Sequence, residues 1–270
     1  MTVATVPRCL TIAASDSGGG AGVQADLKAF AAAGCFGMSA VVGLTAQNTR
    51  GIAAVHEVPP GFVVAQLDAV FEDIGVDAAK TGALLSAAVV EAVASYLETH
   101  GVSLVVDPLL RASADGTQLL GTDATRTMIK RLFPLATVVT PNIDEARVLT
   151  GVDAPQREQA ERIVALGAPA VLITGGHADP IVDHLYDGRD HVDVAVERVR
   201  GGATHGSGCT HSATLTAELA KGASLVDAAR TAAQVTAAAI AAGHIDLGAG
   251  EGPVDVLQST GASQRLRTKE

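Results

Sequence analysis

Residues 9–34, CLTIAASDSGGGAGVQADLKAFAAAG, decide the fold. Cys9 to Ser15 is a short apolar run, the length of a buried strand and too short for a helix. It stops in the polar, glycine-rich turn Asp16 to Gly22. VQADLKAFAAAG then reads as a helix, and Gly34 supplies its stop. The stretch is one unit: a strand, a glycine turn and a returning helix.

Working outward, the unit repeats. SAVVGLTA is a second buried strand, and PPGFVVAQLDAVFEDIG a helix with proline at its start. DAAKTGALL gives a short strand and a loop, and AAVVEAVASYLETHG a helix closed by glycine. SLVVDP, ATVVTPN and AVLITGG are further strands, with helical lengths between most of them. VDHLYDGRDHVDVAVERV predicts a hairpin around Asp187-Gly188. Two alanine-rich helices are expected at about 208–221 and 224–242, and a polar, frayed tail at about 258–270. Strands buried on both faces and alternating with helices imply an α/β fold: a mostly parallel central sheet with helices on both faces. Without a linker or a repeat, residues 1–270 read as a single domain. Ligands of such sheets bind beyond the carboxyl ends of the strands. The turns to inspect are therefore Asp16 to Gly22, Gln47 to Thr49, Lys80 to Gly82, Asp107, Thr140 to Glu145 and Gly175 to His177.

The totals limit the function. The chain has 270 residues, 48% of them hydrophobic, with 3% aromatic and no tryptophan. Its core must be aliphatic, and a pocket has few rings on which to stack a ligand. A net charge of -10 argues against a nucleic-acid or anionic-membrane surface. It leaves room for a phosphate site, because backbone N–H groups bind anions without basic side chains. No apolar run reaches the roughly 18 residues of a membrane span. The N-terminus lacks the apolar core of a secretory signal. The expectation is a soluble, cytoplasmic protein. Cys9, Cys35 and Cys209 form neither a disulfide framework nor a zinc motif, and Cys9 and Cys35 read as core residues.

Three stretches carry chemistry. In ATHGSGCTHSA, Gly206, Ser207 and Gly208 precede Cys209 at the start of a helix. Such a turn gathers N–H groups at the positive end of the helix dipole, an arrangement that holds a phosphoryl oxygen. The same field is expected to lower the Cys209 pKa. An ordinary glycine turn with a buried cysteine, or a Cys-His hydrolase, fits the same letters. A zinc site from His205, Cys209 and His211 does not fit any common spacing. In TPNIDEA, Asn142 and Glu145 lie three apart. They suit either a capping box or a site for magnesium-bound water beside phosphates. In ASDSGGGAGVQAD the glycines match neither GxGxxG nor a Walker loop, and Asp26 is either a solvated helix charge or a residue facing the loop. Gln47 and Asp107 end strands, Lys80 suits an ion pair, and His177 follows a glycine turn.

Taken together, TIAASDSGGGAGVQADLKAF, GMSAVVGLTAQNTRGI, DAAKTGAL, VVDPLL, TPNIDEA, GGH and THGSGCTHSA resemble the hydroxymethylpyrimidine/phosphomethylpyrimidine kinases of the ribokinase superfamily. The resemblance runs over about residues 8–245. It implies a ribokinase-like fold, ATP with Mg2+, and phosphorylation of 4-amino-5-hydroxymethyl-2-methylpyrimidine and then of its monophosphate in thiamine biosynthesis. It implies substrate binding by Asp26, Gln47, Ala83 and Leu109, and an anion hole at Gly206, Ser207 and Gly208. Cys209 takes the catalytic position, as the group that receives or polarises the hydroxyl proton. Asp107, Asn142 and Glu145 organise phosphate and Mg2+, the ion being held through water. A homodimer is the expected assembly. Ala83 stands where the family has methionine, LLRASADG replaces MVAKSG and loses its lysine, and Thr174 replaces another lysine. Threonine at that position also occurs in relatives that phosphorylate pyridoxal, so pyridoxal kinase is the alternative. A non-catalytic nucleotide-binding regulator and a thiol hydrolase are the alternatives from other classes.

Overall fold

The computed structural model describes residues 6–112, 115–176 and 182–259. The elements run β1 (Arg8–Asp16), α1 (Gly22–Ala32), β2 (Phe36–Asn48), β3 (Gly51–Glu57), α2 (Pro60–Asp73), β4 (Ala78–Thr81), α3 (Ala87–Thr99) and β5 (Ser103–Val106). They continue with α4 (Thr122–Arg131), β6 (Val138–Val139), α5 (Ile143–Thr150), α6 (Gln156–Ala165), β7 (Val171–Ile173), β8 (Val182–Tyr186), β9 (His191–Ala195), α7 (Ser207–Ala220), α8 (Leu225–Ala241) and α9 (Val256–Ser259).

All of these strands join one nine-stranded sheet, ordered β3-β2-β1-β4-β5-β6-β7-β8-β9. From β2 to β7 every pairing is parallel, while β3 at one edge and β8 and β9 at the other are antiparallel. The parallel centre is buried on both faces, as its uninterrupted apolar runs require. Alternate residues serve opposite layers. Leu10, Ile12, Leu104 and Val106 pack into the layer that also takes α2 to α6. Cys9 packs on the other side with α1 and α7, and Val105 with α7 and α8.

The predicted hairpin at Asp187-Gly188 is present as β8–β9, and the two alanine-rich helices as α7 and α8. The antiparallel strand β3 was not legible. Its sequence, GIAAVHE, has small residues and an almost wholly exposed strand, so it lacks a buried alternation. His177, Ser113 and the tail from 260 lie outside the described residues.

Strand order reverses its direction of growth at β1. The chain moves from β1 outward to β2 and β3, then returns to β4 and grows the other way. A sheet of this kind leaves a crevice at that switch point, at the carboxyl ends of the strands. A deep cleft lies there. Its wall includes Asp16 at the end of β1, Ala83 after β4, Leu109 after β5, Asn142 after β6 and Thr174 after β7.

Candidate active site

The glycine turn after β1 is built on Asp16. Its carboxylate accepts the N–H groups of Gly18 (2.7 Å), Gly20 (3.0 Å) and Ala21 (2.8 Å). His205 Nε2 stands 3.2 Å from the same carboxylate. Burial alone would raise the Asp16 pKa, but His205 and the Ala21 and Gly18 N–H groups bring it below the ordinary value. Asp16 therefore joins the glycine turn to the loop before α7. A side chain at Gly20 would strike the His205 ring, and one at Gly206 would strike the Gly20 carbonyl. Gly206 also has a φ of +81°, a region that favours glycine.

That conformation starts α7 abruptly. Ser207 donates its N–H to Thr204, and Thr210 donates to Gly206. The N–H groups of Gly206, Gly208 and Cys209 have no acceptor among the described residues. They are the free donors of a helix N-terminus. Gly206, Ser207, Gly208 and Cys209 all line the cleft.

A chain of buried polar groups runs beneath them. Thr11 Oγ1 donates to Asp26 Oδ2 (2.6 Å), and Lys80 Nζ lies 2.7 Å from Asp26 Oδ1. Lys80 also approaches Asp107 Oδ2 at 3.8 Å, and Ser212 Oγ donates to that oxygen at 2.8 Å. The register puts Thr11 of β1 opposite Lys80 of β4, so the sheet itself brings the pair together. Burial would strip Lys80 of its proton, but the nearby anions, Asp26 first, push its pKa up to about 12.

Cys209 corrects an expectation. Burial pushes its thiol up to about 12; Lys80 and the Gly22 N–H oppose this, and Asp26 and Asp107 reinforce it. The shift runs opposite to the lowering expected from the helix terminus, because burial dominates and the network that supplies Lys80 also supplies two carboxylates. Asp26 corrects another. It is fully buried, with its oxygens committed to Thr11 and Lys80, and it does not line the cleft. The sequence left it as a solvated helix charge or a residue facing the loop; it faces Thr11 of β1 and Lys80 of β4 instead.

Asn142 and Glu145 form the capping box of α5. Asn142 Oδ1 accepts the Glu145 N–H (2.8 Å), and Glu145 Oε2 accepts the Asn142 N–H (3.0 Å). Glu145 Oε1 also accepts the Leu110 N–H at 3.3 Å, tying α5 to the loop after β5. Burial, then the charge of Asp107, raises the Glu145 pKa to about 8. Two buried carboxylates that disfavour each other's charge suit a cation between phosphate oxygens. Among the described residues no three His, Cys, Asp or Glu side chains gather as a metal cage. The donor set thus fits an ion such as Mg2+, which keeps water and phosphate as most of its ligands.

At the β2 end, Gln47, Ile52, Ala83 and Leu109 line the cleft. Gln47 Oε1 accepts the Thr45 hydroxyl at 3.0 Å, so its amide N–H groups remain available. At the other end Val196, Val199, Ala233, Ala237 and Ile240 give an aliphatic wall. The sequence reading missed His211 and Asp183, which also line the cleft. His211 Nε2 is 3.2 Å from Asp183 Oδ2, without the alignment of a hydrogen bond. It missed Ser212 and the role of Asp16 as well. His205 and His211 were visible beside Cys209, but only their partners on distant elements give them meaning.

A family model described as phosphomethylpyrimidine kinase matches residues 16–255. The hydroxymethylpyrimidine/phosphomethylpyrimidine kinase of Rhizobium meliloti (strain 1021) is 45% identical over 253 residues, covering 91% of this chain and 95% of the relative. Among solved structures, the ADP complex of Bacillus subtilis pyridoxal kinase superposes with a TM-score of 0.86 at 37% identity, covering 94% of this chain and 98% of that one. The Staphylococcus aureus pyridoxal kinase in complex with AMP-PCP and pyridoxal gives 0.84 at 33% identity, covering 93% and 94%.

Proposed function

The chain belongs to the phosphomethylpyrimidine kinase family, and from that membership we infer how its own residues run the reaction. It is a phosphotransferase of thiamine biosynthesis. It uses ATP to phosphorylate 4-amino-5-hydroxymethyl-2-methylpyrimidine and then the monophosphate. The observation that carries the assignment of roles is the Gly206 turn, which leaves a row of unpaired N–H groups on the cleft wall.

Phosphoryl transfer asks for in-line positioning and stabilisation of charge on the transferring group, with little covalent chemistry from the protein. The free N–H groups of Gly206, Gly208 and Cys209 would receive that charge, as oxyanion donors do in acyl transfer. Gln47, with Ala83 and Leu109, would hold the pyrimidine; its free amide N–H suits a ring nitrogen. Asp26 acts at one remove, by keeping Lys80 charged beneath Asp107. Burial favours the neutral form of the Cys209 thiol, and a neutral thiol would not act as the base. It would orient the substrate hydroxyl through a sulfur lone pair, while the hydroxyl proton passes to an oxygen of the incoming phosphoryl group and is released as the product phosphate ionises. Asp107, Asn142 and Glu145 would hold Mg2+ through water, and the ion would neutralise phosphate charge. The aliphatic wall by α8 would take the adenine, in keeping with a protein that has no tryptophan to stack on it.

Pyridoxal is the second reading, favoured by the solved pyridoxal kinases and by Thr174 and Ala83 on the cleft wall. Sequence identity favours the pyrimidine: 45% to the pyrimidine kinase against 37% and 33% to the pyridoxal kinases. A panel of the pyrimidine alcohol, its monophosphate, pyridoxal and pyridoxine, each with ATP and Mg2+, tests the reading by ADP release and product mass. A higher kcat/KM for pyridoxal than for the pyrimidine would overturn it.

No described helix is long and apolar enough to cross a membrane. We take the kinase to work in the cytoplasm, where its free cysteines would stay reduced. We also take it to be a homodimer. Leu44 on β2 and Phe62 on α2 leave apolar side chains exposed near the β3 edge, a surface that a second copy would cover. Light scattering at a monomer mass would remove that part of the reading.

A further inference from the structure

We propose that Arg111 binds the phosphate of the monophosphate substrate and so sets the efficiency of the second phosphorylation. The proposal rests on the two-step reading above.

The two steps differ in charge. The alcohol enters neutral at its reacting group, whereas a phosphomonoester carries about -1.5 to -2 charges at pH 7. The cleft is poorly prepared for such an anion. Asp16, Asp144, Asp183 and Glu197 line it, and Arg111 is the one lysine or arginine among its described lining residues. His205 and His211 each stand 3.2 Å from a carboxylate of that set, Asp16 and Asp183.

Arg111 is held at the substrate end. The chain after β5 folds back on itself: Leu119 donates its N–H to Leu110 (2.9 Å), Ala112 donates to Thr117 (2.8 Å), and Arg111 bridges Gln118. Asp115 accepts the Thr117 N–H (2.9 Å) and the Ile52 N–H (3.1 Å), which fastens this fold to β3. Ile52 is the cross-strand partner of Gln47. Arg111 therefore sits on the wall that faces the proposed pyrimidine position.

Its guanidinium is underused. Nη1 donates to the Gly116 carbonyl at 3.2 Å, and Arg111 makes no ion pair among the described residues. A guanidinium offers five N–H donors in a plane that matches phosphate oxygens. Among the described residues the remaining donors make no hydrogen bond, and their plane fits a phosphate.

The test measures kcat/KM for the two steps separately in the full-length enzyme, starting from the alcohol or from the monophosphate, with product mass as readout. In Arg111→Ala the second-step constant should fall about 10- to 100-fold relative to the first-step constant, the range for a charge-assisted hydrogen bond. Arg111→Lys should recover part of the loss. The first step in the same sample reports whether the variant is folded. Parallel loss in both steps would make Arg111 a structural residue and overturn the proposal. So would an unchanged second step. If wild-type enzyme turns over neither substrate, the kinase reading fails instead.

Discussion

Cys209 and Gln47 work through single atoms, and each has a sharp test. A neutral thiol that orients a hydroxyl can be replaced by another small hydrogen-bonding group. Cys209→Ala should lower turnover about 10²-fold with nucleotide affinity little changed, within the range of positioned proton-handling groups. Cys209→Ser should stay within about tenfold of wild type, because its oxygen can accept the same hydrogen bond. The wild-type pH–rate profile should show no thiol ionisation near 8 to 9. If Ser is as poor as Ala and wild type shows such a limb, Cys209 is a thiolate base after all. For Gln47, the Leu variant leaves the substrate's polar edge facing an apolar group. Its kcat/KM for the pyrimidine should drop by about 1–3 kcal/mol equivalent, the cost of an unpaired buried polar group. Pyridoxal turnover should change less, since the second lone pair of Gln47 Oε1 can accept from the pyrimidine's exocyclic amine and pyridoxal has none. Equal losses on both substrates would remove Gln47 from pyrimidine recognition.

At the scale of elements, the N-terminus of α5 does two jobs with one carboxylate. Glu145 closes the capping box and also sits beside Asp107. Its folded pKa, about 8, lies above its unfolded value near 4.3. Below the unfolded value both states are protonated and nothing is lost. Between the two values the unfolded chain ionises while the folded one keeps its proton, so stability falls as pH rises through that window. Glu145→Gln keeps an oxygen for the Asn142 N–H and cannot ionise. The difference in melting temperature, variant minus wild type, should become more positive from pH 5 to pH 8 in ligand-free protein. A flat difference would mean that Glu145 is ionised throughout. The same variant should need more Mg2+ for half-maximal rate, with the pyrimidine KM moving less. An unchanged Mg2+ titration would leave Glu145 as a cap alone. The element that sequence reading could not find, β3, matters here too. It carries Ile52, which anchors the loop bearing Arg111, yet its exposed residues give no pattern that separates a strand from a loop.

For the whole molecule, the charged chain through Asp26, Lys80 and Asp107 fastens α1, β4 and the end of β5 at the centre of the sheet. Lys80→Met would leave two buried carboxylates without their cation. Removing one partner of a buried pair costs about 3–5 kcal/mol, and urea unfolding should show a loss of that size. A loss below about 1 kcal/mol would mean that the network contributes no more than a surface pair. We expect one transition in both proteins, because every strand shares the sheet on which the helical layers pack. Two resolved transitions would divide the chain into separate folding units. The sequence by itself determined the alternation of strands and helices, the parallel centre, the Asp187-Gly188 hairpin, the Asn142–Glu145 cap and the glycine start of α7. Each is written in residues a few positions apart, where periodicity, backbone freedom and capping act. Only the tertiary structure decided that Asp26 faces Lys80 instead of the cleft, and that Asp16 joins His205. It also decided how deeply Cys209 is buried and that Asp26 and Asp107 stand near it, both of which favour the thiol over the thiolate. Those outcomes depend on strand order and helix rotation, which bring residues up to 189 positions apart into contact. The energy of a buried charge depends on those distant neighbours, and the local sequence does not contain them.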